Sequence, residues 1–442
     1  MTVEQALSFL DTLLQPESMN HVQELVFRGA WEGKVYEEMA TQGGYDADYL
    51  RDVGSKLWKL LSQALGEKVT KNNFRSVLRR RVEEKQVVES GNIRPTSLTN
   101  SLNGNIAIDT SDVWGREEEL SILERWIVEE NCHLLAVMGM AGIGKSSLVA
   151  KLTEKISDRF DFIVWRSLRN APLVEQFFID LIPLLSKNKL ADVLPIIDCT
   201  IAEIIQCLRA SRCLVILDNF ESVLQSNDRK GSYQKDYEGY GQFLRRVGET
   251  SHQSSVIITS REQPKSLAFK EGIFLPVRSL HLAELSEDVV TKIFAAKNIN
   301  FTDKEIHLLS YLYAGNPLLL KIVATTIHCL FGGNILKFLE QNTLVFGEVF
   351  DILEQQFNRL SNLEIQVMYC LVIDQNPLSF SEILKDVAPK IKSQELMEVL
   401  QSLQWRSLIQ KRGASFTQSP VIKEFVGKYY SGSLPKLMTL HF

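Results

Sequence analysis

Gly139-Met140-Ala141-Gly142-Ile143-Gly144-Lys145-Ser146 decides how this chain is read. The eight residues fit the pattern GxxxxGK[ST]. Glycines let a loop wrap a polyphosphate with its N–H groups turned inward, the lysine reaches the β- and γ-phosphates, and the hydroxyl ligates Mg²⁺. Ser147 continues into the helix whose positive N-terminal end faces the anion. The apolar run Leu134–Met138 directly before the loop has the character of a buried strand, and Leu148–Leu152 after it reads as helix. Strand, loop and helix in that order are the context the motif demands, and they count against a glycine-rich turn without a ligand.

Working outward, Cys213–Leu217 is a second continuous apolar run, ending in Asp218-Asn219 about 70 residues after the loop. Parallel strands buried on both faces read this way, and ligands bind beyond their carboxyl ends. Asp218 is thereby placed as a Walker-B aspartate holding Mg²⁺, directly or through water. A third run, Ser255–Thr259, ends in Ser260-Arg261. An arginine there can make charge-assisted hydrogen bonds to a γ-phosphate and report its presence, or simply end a strand at the surface.

The 442 residues carry 49 Lys and Arg against 54 Asp and Glu, net −5, with 45% apolar and 23% charged residues. That is an ordinary globular composition for about three domains, and it excludes wholesale disorder and a small disulfide scaffold. No apolar run reaches the ~18–20 residues of a membrane span. The opening Met1-Thr2-Val3-Glu4 lacks a signal-peptide pattern, and the six cysteines form no CxxC pair, so a reducing, cytoplasmic setting is expected. The seven histidines show no metal-binding spacing and GxSxG is absent.

Residues 86–111, rich in Ser, Thr, Asn, Gly and Pro, read as a flexible linker. The block before it, 1–85, reads as helices around Tyr36–Ala40, a Gly43-Gly44-Tyr45 turn, and a helix from Ala47 to Leu65. Leu50, Val53, Leu57, Leu60, Leu61 and Ala64 share one face of that last helix. Helix-turn-helix is the pattern, serving either DNA or a protein partner. Residues 1–90 hold 12 Lys and Arg against 14 Asp and Glu, which disfavours phosphate neutralisation and favours a protein-interaction module. The basic cluster Lys68, Lys71, Arg75, Arg79, Arg80 and Arg81 is the feature that could still face a nucleic acid.

Val113-Trp114-Gly115-Arg116 upstream and Gly315-Asn316-Pro317-Leu318-Leu319 downstream complete a set that resembles the NB-ARC branch of the STAND signalling ATPases. Trp165–Asn170 and Tyr237–Gly241 resemble bacterial members that often carry WD repeats or peptidase effectors. The first block resembles the helix-turn-helix domain associated with vWA and MoxR partners. The resemblance implies an α/β P-loop NTPase core, a parallel sheet with flanking helices, over 112–285. It implies a helical lid over 286–346, a winged helix over 347–432 with a hairpin from Ser407–Gln410 and Ala414–Thr417, and a tail at 433–442.

It also implies roles. Gly115 and Arg116 would lie against the base and sugar of ATP or ADP, and Pro317 would pack on the adenine. The loop Gly139–Ser147 would hold the phosphates, Ser146 and Asp218 the Mg²⁺, and Arg261 would sense the γ-phosphate. The expected function is an ATP/ADP switch in signal transduction with slow hydrolysis and an oligomeric ATP form. An ATP-controlled transcription regulator on DNA and a fast remodelling motor are the competing readings. Three features depart from the family pattern. Asn219 stands where a second acid would activate water, and an amide cannot accept a proton. The Met-His-Asp motif falls near Gln418-Ser419-Pro420 without its histidine. The chain ends at Phe442, where relatives would continue into a sensor or effector.

Overall fold

Every residue of Leu134–Met138, Cys213–Asp218 and Ser255–Ser260 is buried. Continuous burial requires a sheet covered on both faces, and these runs are neighbours in one. The structure, a computed structural model, describes residues 10, 21–31, 34, 39–40, 45–65, 69, 74, 102–103, 110, 113–185, 197–267, 272, 275–374, 376–387 and 391–430. In chain order the strands are β1 (Leu102–Asn103), β2 (Leu134–Met138), β3 (Phe162–Ser167), β4 (Cys213–Asp218), β5 (Ser255–Ser260) and β6 (Val277–His281). Their spatial order is β1-β3-β4-β5-β2-β6, every pairing parallel.

Strand alternation sorts the side chains. Leu134, Ala136, Val215, Leu217, Val256 and Ile258 pack with the helices Val174–Leu185, Ile197–Ala210 and Glu238–Glu249. Leu135, Val137, Leu214, Ile216 and Ile257 pack on the other face with the helices Lys145–Ile156 and Glu117–Glu124. The expected P-loop NTPase core, a parallel sheet with flanking helices, is therefore present.

One expectation is corrected here. Leu102–Asn103 lies inside the stretch read as a linker, yet it pairs with Ile163 and Val164 as an edge strand. Two residues are too few to display a period-2 pattern, so composition alone spoke for a spacer. The basic cluster at 68–81, the turn glycines Gly43 and Gly44, and the tail 433–442 lie outside the described residues.

After β6 come the helices Glu287–Ala295, Asp303–Leu312, Pro317–Phe331 and Ile335–Leu339, then Gly347–Phe357, Asn362–Ile373, Phe380–Val387, Ser393–Trp405 and Pro420–Phe425. A small antiparallel sheet of β7 (Leu378–Ser379), β8 (Gln410–Arg412) and β9 (Ser415–Thr417) joins them, in the order β7-β9-β8. One apolar core runs through all of these helices from Leu285 to Val426, with no break at 346/347. The hairpin starts at Gln410, later than the expected Ser407. Ser407 takes φ +56 and its N–H donates to the Gln404 carbonyl, while Leu408 N–H donates to Leu403. This Schellman closure of the preceding helix consumes the two residues.

Among the described residues of the first unit, Met1–Thr96, the helices His21–Trp31 and Ala47–Leu65 enclose Val26, Phe27, Leu50, Leu57 and Leu61. Phe27 meets Phe74 edge-on at 5.2 Å. The second unit, Ser97–Phe442, holds everything described above from β1 onward.

Ile257, fully buried in a central strand, sets a stability test. Ile257→Ala is expected to cost about 2–5 kcal/mol in urea unfolding. Leu330→Ala, at a position 75% exposed, is expected to stay within about 0.5 kcal/mol.

Candidate functional site

β2 delivers the chain at Met138 into a loop that ends at Gly144, the N-cap of the helix Lys145–Ile156. Gly144 has φ +101 and, having no side chain, leaves the first-turn N–H groups of that helix for an anion. Gly142 is required twice over. Its φ is +77, and a Cβ there would stand 2.7 Å from Leu318 Cβ.

Lys145 is buried, and its ammonium donates to the carbonyls of Gly139 at 2.8 Å and Met140 at 3.0 Å. Burial pushes its pKa down to about 8; Glu221 and Asp218 oppose that shift and Arg261 adds to it. Ser146 Oγ donates to Asp218 Oδ1 at 2.6 Å, and the Thr259 hydroxyl donates to the same oxygen. The Asn219 amide donates to Asp218 Oδ2 at 3.1 Å and to Ser167 Oγ at 3.3 Å. A hydroxyl and a carboxylate in contact beside a loop of free-ended helix N–H groups form an oxygen donor set that suits Mg²⁺ on a phosphate.

Arg261 pairs through Nε with Glu221 Oε1 at 3.0 Å, and its backbone N–H donates to Glu221 Oε2 at 3.2 Å. Asn316 fastens the loop from the opposite side. Its Nδ2 donates to the Ala141 carbonyl at 2.8 Å, while its Oδ1 accepts from Leu318 and Leu319 as an N-cap. Pro317 follows as the first helical residue.

A cavity of about 340 Å³ opens over the loop. Of the expected site residues it is lined by Arg116, Ala141, Gly142, Ile143, Gly144, Lys145, Ser146, Ser147, Arg261 and Pro317. Asp218 stands just behind Ser146. Gly115, Gly139 and Met140 are not among its lining. At Gly115 a Cβ would meet Val289 Cγ2 at 2.2 Å, so this glycine is a packing position. Gly139 offers its carbonyl to Lys145, and Met140 packs into the core of the C-terminal helices. Arg116 is also turned inward, donating to the carbonyls of Ile143 at 3.2 Å and Ala283 at 2.8 Å and pairing with Glu119 at 2.6 Å. It braces the loop.

Sequence reasoning missed part of the wall. Trp114, Val289, Ile293 and Leu318 form an apolar side, and Arg169 and Lys321 add cations. Trp114 and Arg169 sat inside the quoted motifs without an assigned role. Val289, Ile293 and Lys321 carry the ordinary helical spacing of a core face and a solvated face, which gives no signal.

Residues 116–265 match the family model of the NB-ARC domain, and residues 1–81 match that of the vWA-MoxR associated protein N-terminal HTH. The chain carries an NB-ARC domain. An uncharacterized WD repeat-containing protein of Nostoc sp. strain PCC 7120 is 44% identical over 335 residues, 73% of this chain. The chain spans 27% of that relative's length. Among solved structures, the Walker-type ATPase of Pyrococcus abyssi aligns at 15% identity and TM-score 0.49, covering 73% of this chain and 99% of that one. The STAND protein with a tetratricopeptide repeat sensor from Pyrococcus horikoshii aligns at 19% identity and TM-score 0.37, covering 78% of this chain and 46% of that one. The NB-ARC match supports a nucleotide-binding ATPase of the signalling type. Among the described residues no helix is long and apolar enough to cross a membrane, and no His, Cys, Asp and Glu group forms a metal cluster.

Lys145 yields a pH prediction. With a folded pKa near 8 against an ordinary 10.5, the unfolded chain holds the extra proton between those values. This group's contribution to stability therefore rises as pH climbs through that window, and its charge is a cost below it. Lys145→Met is expected to be more stable than the parent near neutral pH. Parallel urea titrations should show that advantage shrinking by ~2–3 kcal/mol above about pH 10.

Proposed function

We propose that the NB-ARC domain is an ATP/ADP switch that reads the terminal phosphate. Lys145 and the loop N–H groups would hold the β-phosphate of either nucleotide, with Trp114, Val289, Ile293 and Pro317 as the apolar side for the base. Ser146 and Asp218 would hold Mg²⁺, which supplies charge neutralisation at the phosphates when bound. The observation that carries the reading is the Arg261–Glu221 pair at the rim of the cavity that holds Lys145. A cation already partnered by a carboxylate can exchange it for a phosphate, and only ATP offers one more. A ligand shifts a two-state balance only by its differential affinity, and Arg261 is the group that would create that difference.

In this reading residues 286–346 act as the lid and 347–432 as a winged helix that rests on the nucleotide domain. ATP frees surfaces for assembly, and the 1–85 block recruits a protein partner. Hydrolysis resets the switch slowly, because Asn219 donates to Asp218 and offers no base.

Calorimetry with ADP and a non-hydrolysable ATP analogue, both with Mg²⁺, tests the switch. Lys145→Ala is expected to abolish binding of both. Arg261→Ala is expected to keep ADP and weaken the ATP analogue by about tenfold or more, the loss of one charge-assisted pair. Equal affinity of the parent for the two nucleotides would overturn the proposal.

A further inference from the structure

Three arginines and three carboxylates form a continuous, largely buried cluster that runs from the phosphate cavity to the C-terminal helices. Arg261, Arg359 and Arg406 are 22%, 18% and 4% exposed; Glu221, Glu262 and Glu364 are 7%, 4% and 0%. Glu221 holds Arg261. The residue after Arg261 is Glu262, whose carboxylate is shared by Arg359 and Arg406, the latter at 3.0 Å. Arg359 follows the helix Gly347–Phe357 and Arg406 follows Ser393–Trp405, so Glu262 binds two separate C-terminal helices to the end of β5. Arg406 also pairs with Glu364 at 3.5 Å and donates to the Asp228 carbonyl at 3.0 Å. Arg359 closes the circuit, because its Nη2 donates to the Glu221 backbone carbonyl at 2.8 Å and to Leu224 at 3.1 Å.

The charges balance three against three, and in a buried cluster the removal of one partner is strongly unfavourable for the group left behind. We propose that this cluster is the latch through which the nucleotide site holds and releases the C-terminal helices. The proposal rests on the switch reading above for the anion that acts on it. An anion that draws Arg261 away leaves the Glu221 carboxylate without its cation. A replacement at hand is Arg359, already bonded to the Glu221 carbonyl. Its transfer takes one of the two arginines from Glu262, and the C-terminal helices loosen from the sheet. Ser146, Lys145 and Asp218 need not move.

The test uses the full chain with Glu262→Gln and, separately, Arg359→Gln, the second removing the less buried member of the pair, 18% against 4% exposed. Size-exclusion with small-angle scattering reads whether the C-terminal helices stay docked, and calorimetry reads the ratio of ADP to ATP-analogue affinity. Both variants are expected to be expanded with either nucleotide. Both should shift the ratio toward the ATP analogue by about tenfold, since opening no longer opposes its binding. Arg261→Ala, which also leaves Glu221 without its cation, is expected to expand the radius with either nucleotide while losing the contact that separates the two affinities. Variants that only melt earlier, with parental radius and parental ratio, would overturn the latch. A parent that binds neither nucleotide would refute the switch reading alone, and the radius of the two variants would then decide the latch.

Discussion

The carboxylate of Asp218 is the point on which the site depends. It receives the hydroxyl of Ser146 from the start of one helix and that of Thr259 from β5, so three distant stretches of chain meet at one oxygen. Strand parity makes this meeting possible. Leu214 and Ile216 face the helix Lys145–Ile156, and Asp218, two residues on, faces the same way; Thr259 stands in the same relation to Ile257. A register slip of one residue in β4 would turn the carboxylate to the opposite face and leave the hydroxyls behind. The order β4-β5-β2 then sets the loop beside the end of β5, with the end of β4 one strand further on.

Electrostatics explains why the loop needs so much bracing. A buried ammonium is costly, and Lys145 keeps its place by donating to two loop carbonyls that face inward only in this conformation. That conformation is in turn held from outside. Asn316 takes the Ala141 carbonyl, Arg116 the Ile143 carbonyl, and Gln356 accepts from Ala141 N–H at 3.3 Å. The braces come from three separate parts of the chain, so the loop's shape depends on how those parts pack.

What was legible in the sequence follows from this. The strands β2, β4 and β5 announced themselves because both faces are buried, and the loop because its chemistry leaves few choices of residue. Gly115, Arg116 and Met140 sit in or beside motifs, and a motif records only that a residue type is needed. The structure adds packing of Gly115 against Val289, bracing of carbonyls by Arg116 and filling of a core by Met140. The edge strand Leu102–Asn103 was invisible because two residues carry no period. The Glu262 cluster was invisible because its members lie 97 and 144 residues apart in sequence. Such pairs become neighbours only once the C-terminal helices fold back, and no local pattern encodes that.

The position of the absent histidine gains meaning from the same packing. Ser419 lines a separate cavity of about 420 Å³, bounded by Met140, Leu282, Ser407 and Ile422, and does not line the one over Lys145. Its neighbour Gln418 is tied down through Nε2 to the Met368 carbonyl at 2.8 Å. Met140 and Ile143 of the phosphate loop line that cavity too, and Ile143 is shared with the one over Lys145. From the helices after Phe346 a hydrogen bond reaches the loop through Gln356, which also donates to the Arg406 carbonyl at 2.9 Å. Arg406 in turn binds Glu262. Loop, Gln356, Arg406 and Glu262 thus form one hydrogen-bonded path.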